Sequence, residues 1–376
     1  MGRDAFPIRA RAWLAEFVSG ATTPCLPALL ATLTVTGLCF LMCAMLITPD
    51  LLATDANRYF VAHADDEYGH LTGKAWRIAR SRQLGLSVLL VGASDLRDAI
   101  SDGGELEQLL EQRVGQPVRV HRMTAGGLTP WEAACIADSV PPPLQGAVIL
   151  EVRPRILGFS AGRLRDLARF PRLGLPSRAF DEELRLSGLD EPWRVGNYFL
   201  DHYRFFVSRQ DALMRNLVKG PVQLSRWQRD GDVRKHVSDR ELMVDAMRSV
   251  AMDLGYLTHR KENLAVYARV VRRLRKTGRV QVALLEGVVN PRATEIIMGL
   301  HDGRRVHEAY RSDIQRFSLE NGLPYWDLTE DAGLTGEDFA DYTHMQDPNA
   351  RCRFTRALAD RLAHLLSQHE LVRGAN

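Results

Sequence analysis

The chain has 376 residues and a formal charge of +3, from 49 Lys+Arg against 46 Asp+Glu. Hydrophobic residues at 45% and charged residues at 25% are ordinary globular proportions, which exclude wholesale disorder, a collagen-like repeat and a disulfide scaffold. The charges nearly balance, and no Lys/Arg run is interleaved with aromatics, so no nucleic-acid partner is expected.

Only one stretch is long and apolar enough to cross a bilayer, which excludes a polytopic membrane protein. Residues 26–47, LPALLATLTVTGLCFLMCAMLI, carry no charge. As a helix rising about 1.5 Å per residue they cover a hydrocarbon core of about 30 Å. A buried core helix or a cleaved signal peptide is the alternative. Signal cores, however, run about 7–15 residues, and this one is longer and starts late in the chain. Arg3, Arg9 and Arg11 precede it. Asp50, Asp55, Asp65, Asp66 and Glu67 follow, with only Arg58 and Lys74 against them. Cytoplasmic flanks favour Lys and Arg, so residues 1–25 are expected inside. The expectation is a single-pass protein of a bacterial inner membrane with its C-terminal domain periplasmic.

Residues 48–83 read as a polar connector with some helical character, ahead of an extracytoplasmic domain at 84–376. Leu84–Val91 is a continuous apolar run ended by Gly92, which suits a strand covered on both faces. A helix is expected over Glu105–Arg113, a second strand over Val118–Met123, and a helix opened by Pro130. Ala147–Val152 is the third strand candidate, Val280–Leu285 the fourth and Pro324–Leu328 the fifth. Helices are expected over Leu264–Lys276, His307–Glu320 and Cys352–Gln368. Strands alternating with helices imply an α/β fold with a parallel, helix-covered sheet. Residues 158–256 break the rhythm with Pro171, Pro176 and Pro192 and the aromatics Trp193, Tyr198, Phe199, Tyr203, Phe205 and Phe206. They read as a mostly helical insertion, serving as a packing cap, a lid, or a docking face near the membrane. Cys135 and Cys352 are the only cysteines past the apolar stretch, and the sequence leaves their pairing open.

Two segments carry chemistry. Val91-Gly92-Ala93-Ser94-Asp95 follows the first strand, and Asp341-Tyr342-Thr343-His344 lies between the fifth strand and the last helix. In a parallel sheet both fall at the carboxyl ends of strands, where open α/β folds bind ligands. Serine is a poor nucleophile until a base takes its proton, and a histidine base needs a carboxylate to fix its tautomer. Ser94, His344 and Asp341 supply those three roles. The plainer alternatives are a helix cap for Ser94 and a solvated or capping turn for Asp341 and His344. For a metal, only Asp347 lies close enough to add a ligand, so neither a metal nor another cofactor is expected.

Ser in a Gly-x-Ser turn after the first strand, Gly after the second and Asp-x-x-His before the last helix resemble the SGNH/GDSL hydrolase family. The resemblance covers roughly residues 84–157 and 279–368. It implies a flavodoxin-like three-layer sheet, with Ser94 as nucleophile, His344 as general base and Asp341 as its orienting carboxylate. It also implies an oxyanion hole from the amides of Ser94 and Gly127, or its neighbour Gly126. Two blocks depart from the family pattern. Gly92-Ala93-Ser94-Asp95 stands where Gly-Asp-Ser-Leu is usual, and Glu151-Val152-Arg153-Pro154-Arg155 stands where Gly-x-Asn-Asp is usual. Arg153 and Arg155 read as surface charges there, the alternative being that one of them replaces the Asn, with Arg155 a substrate-binding candidate. In architecture the chain most resembles the membrane-anchored SGNH-like protein of teichoic-acid D-alanylation and its relatives. That likeness implies an acyl esterase or O-acyltransferase for an envelope polysaccharide or polymer, partnered by a membrane-bound O-acyltransferase. The alternative is a catalytically inactive partner that binds the acyltransferase or the polysaccharide.

Overall fold

The computed structural model describes residues 25–81, 85–140, 145–189, 194–223, 237–276 and 279–373. Arg3, Arg9, Arg11, Leu84, Pro192 and Trp193 therefore lie outside the described residues. The apolar run forms helix α1 (Cys25–Leu46), of which Pro27–Leu46 is long and apolar enough to cross a membrane. A short helix α2 (Pro49–Ala53) follows, started by the Thr48 side chain on the Leu51 amide with Pro49 in the first turn. A 3-10 turn over Asp55–Phe60 leads to α3 (Glu67–Arg80), whose N-cap Asp66 accepts from the Gly69 amide. The connector is thus a built helical segment rather than a spacer.

Five parallel strands form one sheet: β1 (Leu86–Gly92), β2 (Val118–Thr124), β3 (Gly146–Val152), β4 (Val280–Glu286) and β5 (Tyr325–Trp326), in the order β2-β1-β3-β4-β5. Chain direction across the sheet reverses between β1 and β3, so the carboxyl ends of these two strands flank the switch-point crevice. The fifth strand is shorter than Pro324–Leu328. Pro324 has no N–H to donate, and Asp327 turns its carboxylate onto the Thr329 amide and closes the ladder.

Ser94 opens α4 (Ser94–Ala99), and α5 (Gly103–Val114) follows from an Asp102 cap. Thr129 and Glu132 form a reciprocal capping box on α6 (Pro130–Ser139), with Pro130 in the first turn. A short helix α7 (Pro154–Leu157) precedes the insertion, whose described parts are mostly helical, with α8 (Ala161–Arg169), α9 (Arg178–Leu186), α10 (Tyr198–Asp201), α11 (Tyr203–Val207), α12 (Gln210–Lys219) and α13 (Asp239–Asp253) joined by non-helical stretches such as 171–177. The chain returns to the sheet through α14 (Gly255–Lys276). After β4 come α15 (Pro291–Gly299) and α16 (His301–Asn321), and α17 (Pro348–Arg373) closes the described chain. The helices begin earlier than the apolar periodicity alone marks, because caps and polar first turns precede the first buried residues.

Both sheet faces are covered. Leu89 and Val91 of β1 face a core shared with Leu71, Trp131, Tyr267 and Tyr310 from α3, α6, α14 and α16. Val88 and Leu90 face the opposite core with Leu106, Phe354 and Leu358 from α5 and α17. Every residue of β1 and β3 is buried, the pattern of strands roofed on two sides. Cys135 is buried against the first core and donates to the Leu175 carbonyl, while Cys352 lies on α17 beside Glu105; both are free thiols.

Candidate active site

Ser94 occupies the turn at the carboxyl end of β1, half-buried, as the first residue of α4. The N-cap position belongs to Ala93, and no side chain caps the helix, so the capping role considered for Ser94 does not hold. Beneath the turn, the Ala93 amide donates to Glu151 Oε2 at 2.5 Å. A Cβ at Gly92 would meet that same carboxyl at 2.2 Å, so only glycine admits it. Arg153 Nη1 donates to Asp95 Oδ2 at 2.9 Å and its Nε stands 3.7 Å from Glu151 Oε1. Burial, reinforced by the Asp95 carboxylate, pushes the Glu151 pKa well up. Burial opposes the Arg153 charge, but Asp95 and Glu151 outweigh it and hold the guanidinium protonated. The cluster is one guanidinium set between two buried carboxyl groups, wedged between the carboxyl ends of β1 and β3. Arg153 does not stand in for an oxyanion-hole Asn; it anchors the residue that follows the serine.

The second segment closes over the first. Asp341 accepts from the amides of Thr343 and His344 at 2.9 Å each, and its two oxygens lie 2.9 and 2.8 Å from His344 Nδ1. Burial works against the Asp341 charge, but its bonds to His344 hold the carboxyl far below the usual carboxylate range. Nδ1 is thereby fixed as the nitrogen that donates to Asp341. Nε2 lies 3.8 Å from Asp98 Oδ2. Asp98 is four residues after Ser94 on α4, so the two share one helix face and His344 is brought to the face that Ser94 heads. Asp98 was not singled out in the sequence; its i+4 spacing from Ser94 was the signal that would have found it. Asp347 accepts from the Asn349 and Ala350 amides at the start of α17, which commits it to a cap.

Residues 125–128 form a tight turn closed by the Leu128 amide on the Ala125 carbonyl, and Gly127 takes φ +65°, which favours glycine. The Gly126 amide donates to Glu67, whose other oxygen pairs with Arg97. The Gly126 amide is thus engaged by a carboxylate, while the Gly127 carbonyl accepts from Arg172 Nη2 at 3.1 Å. Glu67 comes from the connector helix α3 and is the second residue that sequence reasoning passed over. Its partner Gly126 lies in a turn distant in the chain, and no local spacing links them.

Next to the Asp341–His344 turn lies a pocket of about 240 Å³, lined by Arg153, Arg155, Asp253, Glu286, His307 and Tyr342 among others. Arg155 Nη2 donates to Ser249 Oγ at 2.6 Å and its Nε stands 3.5 Å from Asp253, so the insertion helix α13 supplies one wall. Burial raises the Glu286 pKa to about 7, against the opposing bonds from Tyr310 and Tyr325 hydroxyls. The arginines of this pocket are all paired with carboxylates, including Arg311 with Asp327 at 2.7 Å.

No protein-family model matches the chain, and no curated protein matches it. Among solved structures it is similar to a protein from Agrobacterium tumefaciens strain C58 provisionally described as an arylesterase. That similarity has 15% identity and a TM-score of 0.29, over 75% of this chain and 100% of the other. A likeness this distant leaves function to be argued from the site.

Proposed function

We propose that the chain is a membrane-tethered, extracytoplasmic serine acyl esterase or O-acyltransferase for a cell-envelope polysaccharide or polymer, working beside a membrane-bound O-acyltransferase. The observation that carries this reading is the Asp341 carboxylate on His344 Nδ1, facing the helix that the uncapped Ser94 opens at the switch point. Ser94 Oγ attacks an acyl carbonyl while His344 Nε2 takes its proton. The oxyanion is received by the amides of Ser94 and Gly127, and collapse expels the donor alcohol with the proton held on His344. Water or a sugar hydroxyl, deprotonated by the same nitrogen, then attacks the acyl-serine and releases Ser94. The pocket lined by Arg153, Arg155 and Tyr342 suits the acceptor, because its arginines are paired with carboxylates and favour a neutral hydroxyl-rich ligand over an ion. Asp341 does no proton transfer; it orients the ring and stabilises the imidazolium. Tethering through α1 would raise the local concentration of membrane-proximal substrate.

The second reading is an inactive partner that binds the acyltransferase or the polysaccharide. The specific observation in its favour is that Asp98 faces His344 Nε2 and Glu67 engages the Gly126 amide. The test is hydrolysis of p-nitrophenyl acetate, and labelling by a serine-directed phosphonate, with the full chain in detergent micelles. Ser94→Ala and His344→Ala should abolish both, and Asp341→Asn should lower the rate by about 10⁴-fold. A wild-type chain that neither hydrolyses the ester nor labels at Ser94 would favour the partner reading.

A further inference from the structure

Helix α12 carries an exposed apolar stripe beside its exposed polar residues Gln210, Asp211, Arg215 and Lys219. Its inward face is fastened to the segment just after α1. Asn216 Nδ2 donates to the Tyr59 and Val61 carbonyls at 2.9 Å each, Arg215 donates to the Ala62 carbonyl, and Leu213 packs on a cluster of Ile47, Leu52, Phe60, Phe199, Phe205 and Phe206. Its outward face carries Met214, Leu217 and Val218, spaced i, i+3, i+4 and between 61% and 83% exposed. Val207 and Tyr203 of α11 continue the exposed apolar set toward α10. A surface helix in water places polar residues outward and its apolar stripe on the core. Here the outward stripe is apolar, and no described residue covers it.

What covers it follows from where it sits. Phe199 of α10 meets Phe40 of α1 edge to face, with ring centroids 5.2 Å apart, and Asn197 Nδ2 donates to the Ala44 carbonyl at 2.9 Å. Phe40 is six residues before the end of α1, about 9 Å along its axis at ~1.5 Å per residue. The apolar part of α1 has 20 residues, about 30 Å, which leaves no slack across a hydrocarbon core of the same thickness. A span placed to fill that core therefore draws α10 down to the acyl boundary. Interfacial amphipathic helices bury their apolar faces about 5–10 Å at that depth.

We infer that α10–α12 of the insertion form a lipid-embedded foot, with Tyr203, Val207, Met214, Leu217 and Val218 set into the headgroup–acyl boundary of the bilayer that α1 crosses. The inference rests on the membrane-spanning part of the reading above and adds a second, in-plane membrane contact. Two contacts fix the orientation of the catalytic domain, whereas a single helix would leave it free to swivel.

The test uses the full chain in phosphatidylcholine vesicles with no other protein, its native cysteines replaced by serine. Bimane reporters are placed in turn at Leu217→Cys, Val218→Cys, Leu33→Cys within α1, and Leu319→Cys on the exposed end of α16. The vesicles carry doxyl-labelled lipid with the quencher near the top of the acyl chain. Reporters at 217 and 218 should be quenched severalfold more than the one at 319. Quenching at 33 with 217 and 218 no different from 319 overturns the foot while leaving the spanning helix intact. Absence of quenching at 33 as well removes the spanning helix and the foot with it. Burial of 217 and 218 only after a second membrane protein is added also overturns the proposal, making the stripe a protein interface.

Discussion

Arg153→Met isolates what the buried cluster does for the Ser94 turn. Asp95 and Glu151 are each 1% exposed, and Arg153 is their shared cation, 2.9 Å from Asp95. The variant removes that cation and leaves the buried Asp95 carboxylate at the carboxyl end of β1 without its partner. Removing one partner of such a pair costs about 3–5 kcal/mol. For a domain of this size a loss of 1 kcal/mol lowers the melting temperature by about 2 °C, so the variant should melt roughly 6–10 °C below wild type. Adding Asp95→Asn removes the stranded charge, and the double variant should regain most of that loss, because a neutral replacement of a buried pair is often tolerated. The assay is thermal unfolding of the full chain in detergent followed by circular dichroism, with phosphonate labelling of Ser94 at a temperature where every variant is folded. Labelling should fall in Arg153→Met, since the turn that presents Ser94 has lost its anchor. Melting within about 2 °C of wild type, or no rescue by Asp95→Asn, would refute the cluster as the support of the nucleophile turn.

Two further outcomes follow from groups at the rim of the site. Glu286 has its pKa raised from 4.5 to about 7 by burial, so the folded chain holds a proton there that the unfolded chain has released. Stability should fall as pH rises through that window, by about 3 kcal/mol in total, and the penalty should be complete above it. Glu286→Gln cannot ionise, so its melting temperature should match wild type near pH 4.5 and exceed it increasingly up to pH 7; a gap independent of pH would remove the argument. At the other rim, Glu67→Ala frees the Gly126 amide and loosens the Gly126–Gly127 turn. With Gly127 as the oxyanion donor, p-nitrophenyl acetate hydrolysis should drop by about tenfold or more, because small misplacements of a positioned group are expensive. A faster variant would instead identify Gly126 as a donor that Glu67 blocks.

The sheet was legible because its inner strands β1, β3 and β4 are covered on both faces. Such strands read as unbroken apolar runs, and Leu86–Gly92, Gly146–Val152 and Val280–Glu286 need no knowledge of their neighbours to be recognised. The Asp341–His344 pair was legible for a local reason as well, since three residues of turn bring the carboxylate back onto Nδ1. Asp98 and Glu67 were not, because each matters only through where a distant segment docks. Asp98 becomes part of the site when the loop around His344 folds over α4, and Glu67 when the connector helix packs under the Gly126–Gly127 turn. Arg153 sits between these cases. Its place after the third strand was visible, yet its role depended on Asp95, which a β-sheet register rather than a sequence spacing sets beside it.

The two departures at the switch point now explain each other. An acid follows the serine at Asp95, a base stands at Arg153, and the acid Glu151 holds the Ala93 amide between them. Each charge placed alone in that crevice would be excluded by burial, so neither departure is tolerable without the other. The same reasoning separates the stripe on α12 from the core helices. By periodicity Met214, Leu217 and Val218 are indistinguishable from a core-facing set, and only the packing of Asn216 on the chain just after α1 shows that they point outward. Periodicity reports that a face avoids water; it does not report whether protein or lipid takes the place of water. On the proposed reading lipid takes that place, argued from the position of α10 against Phe40, about 9 Å from the end of α1.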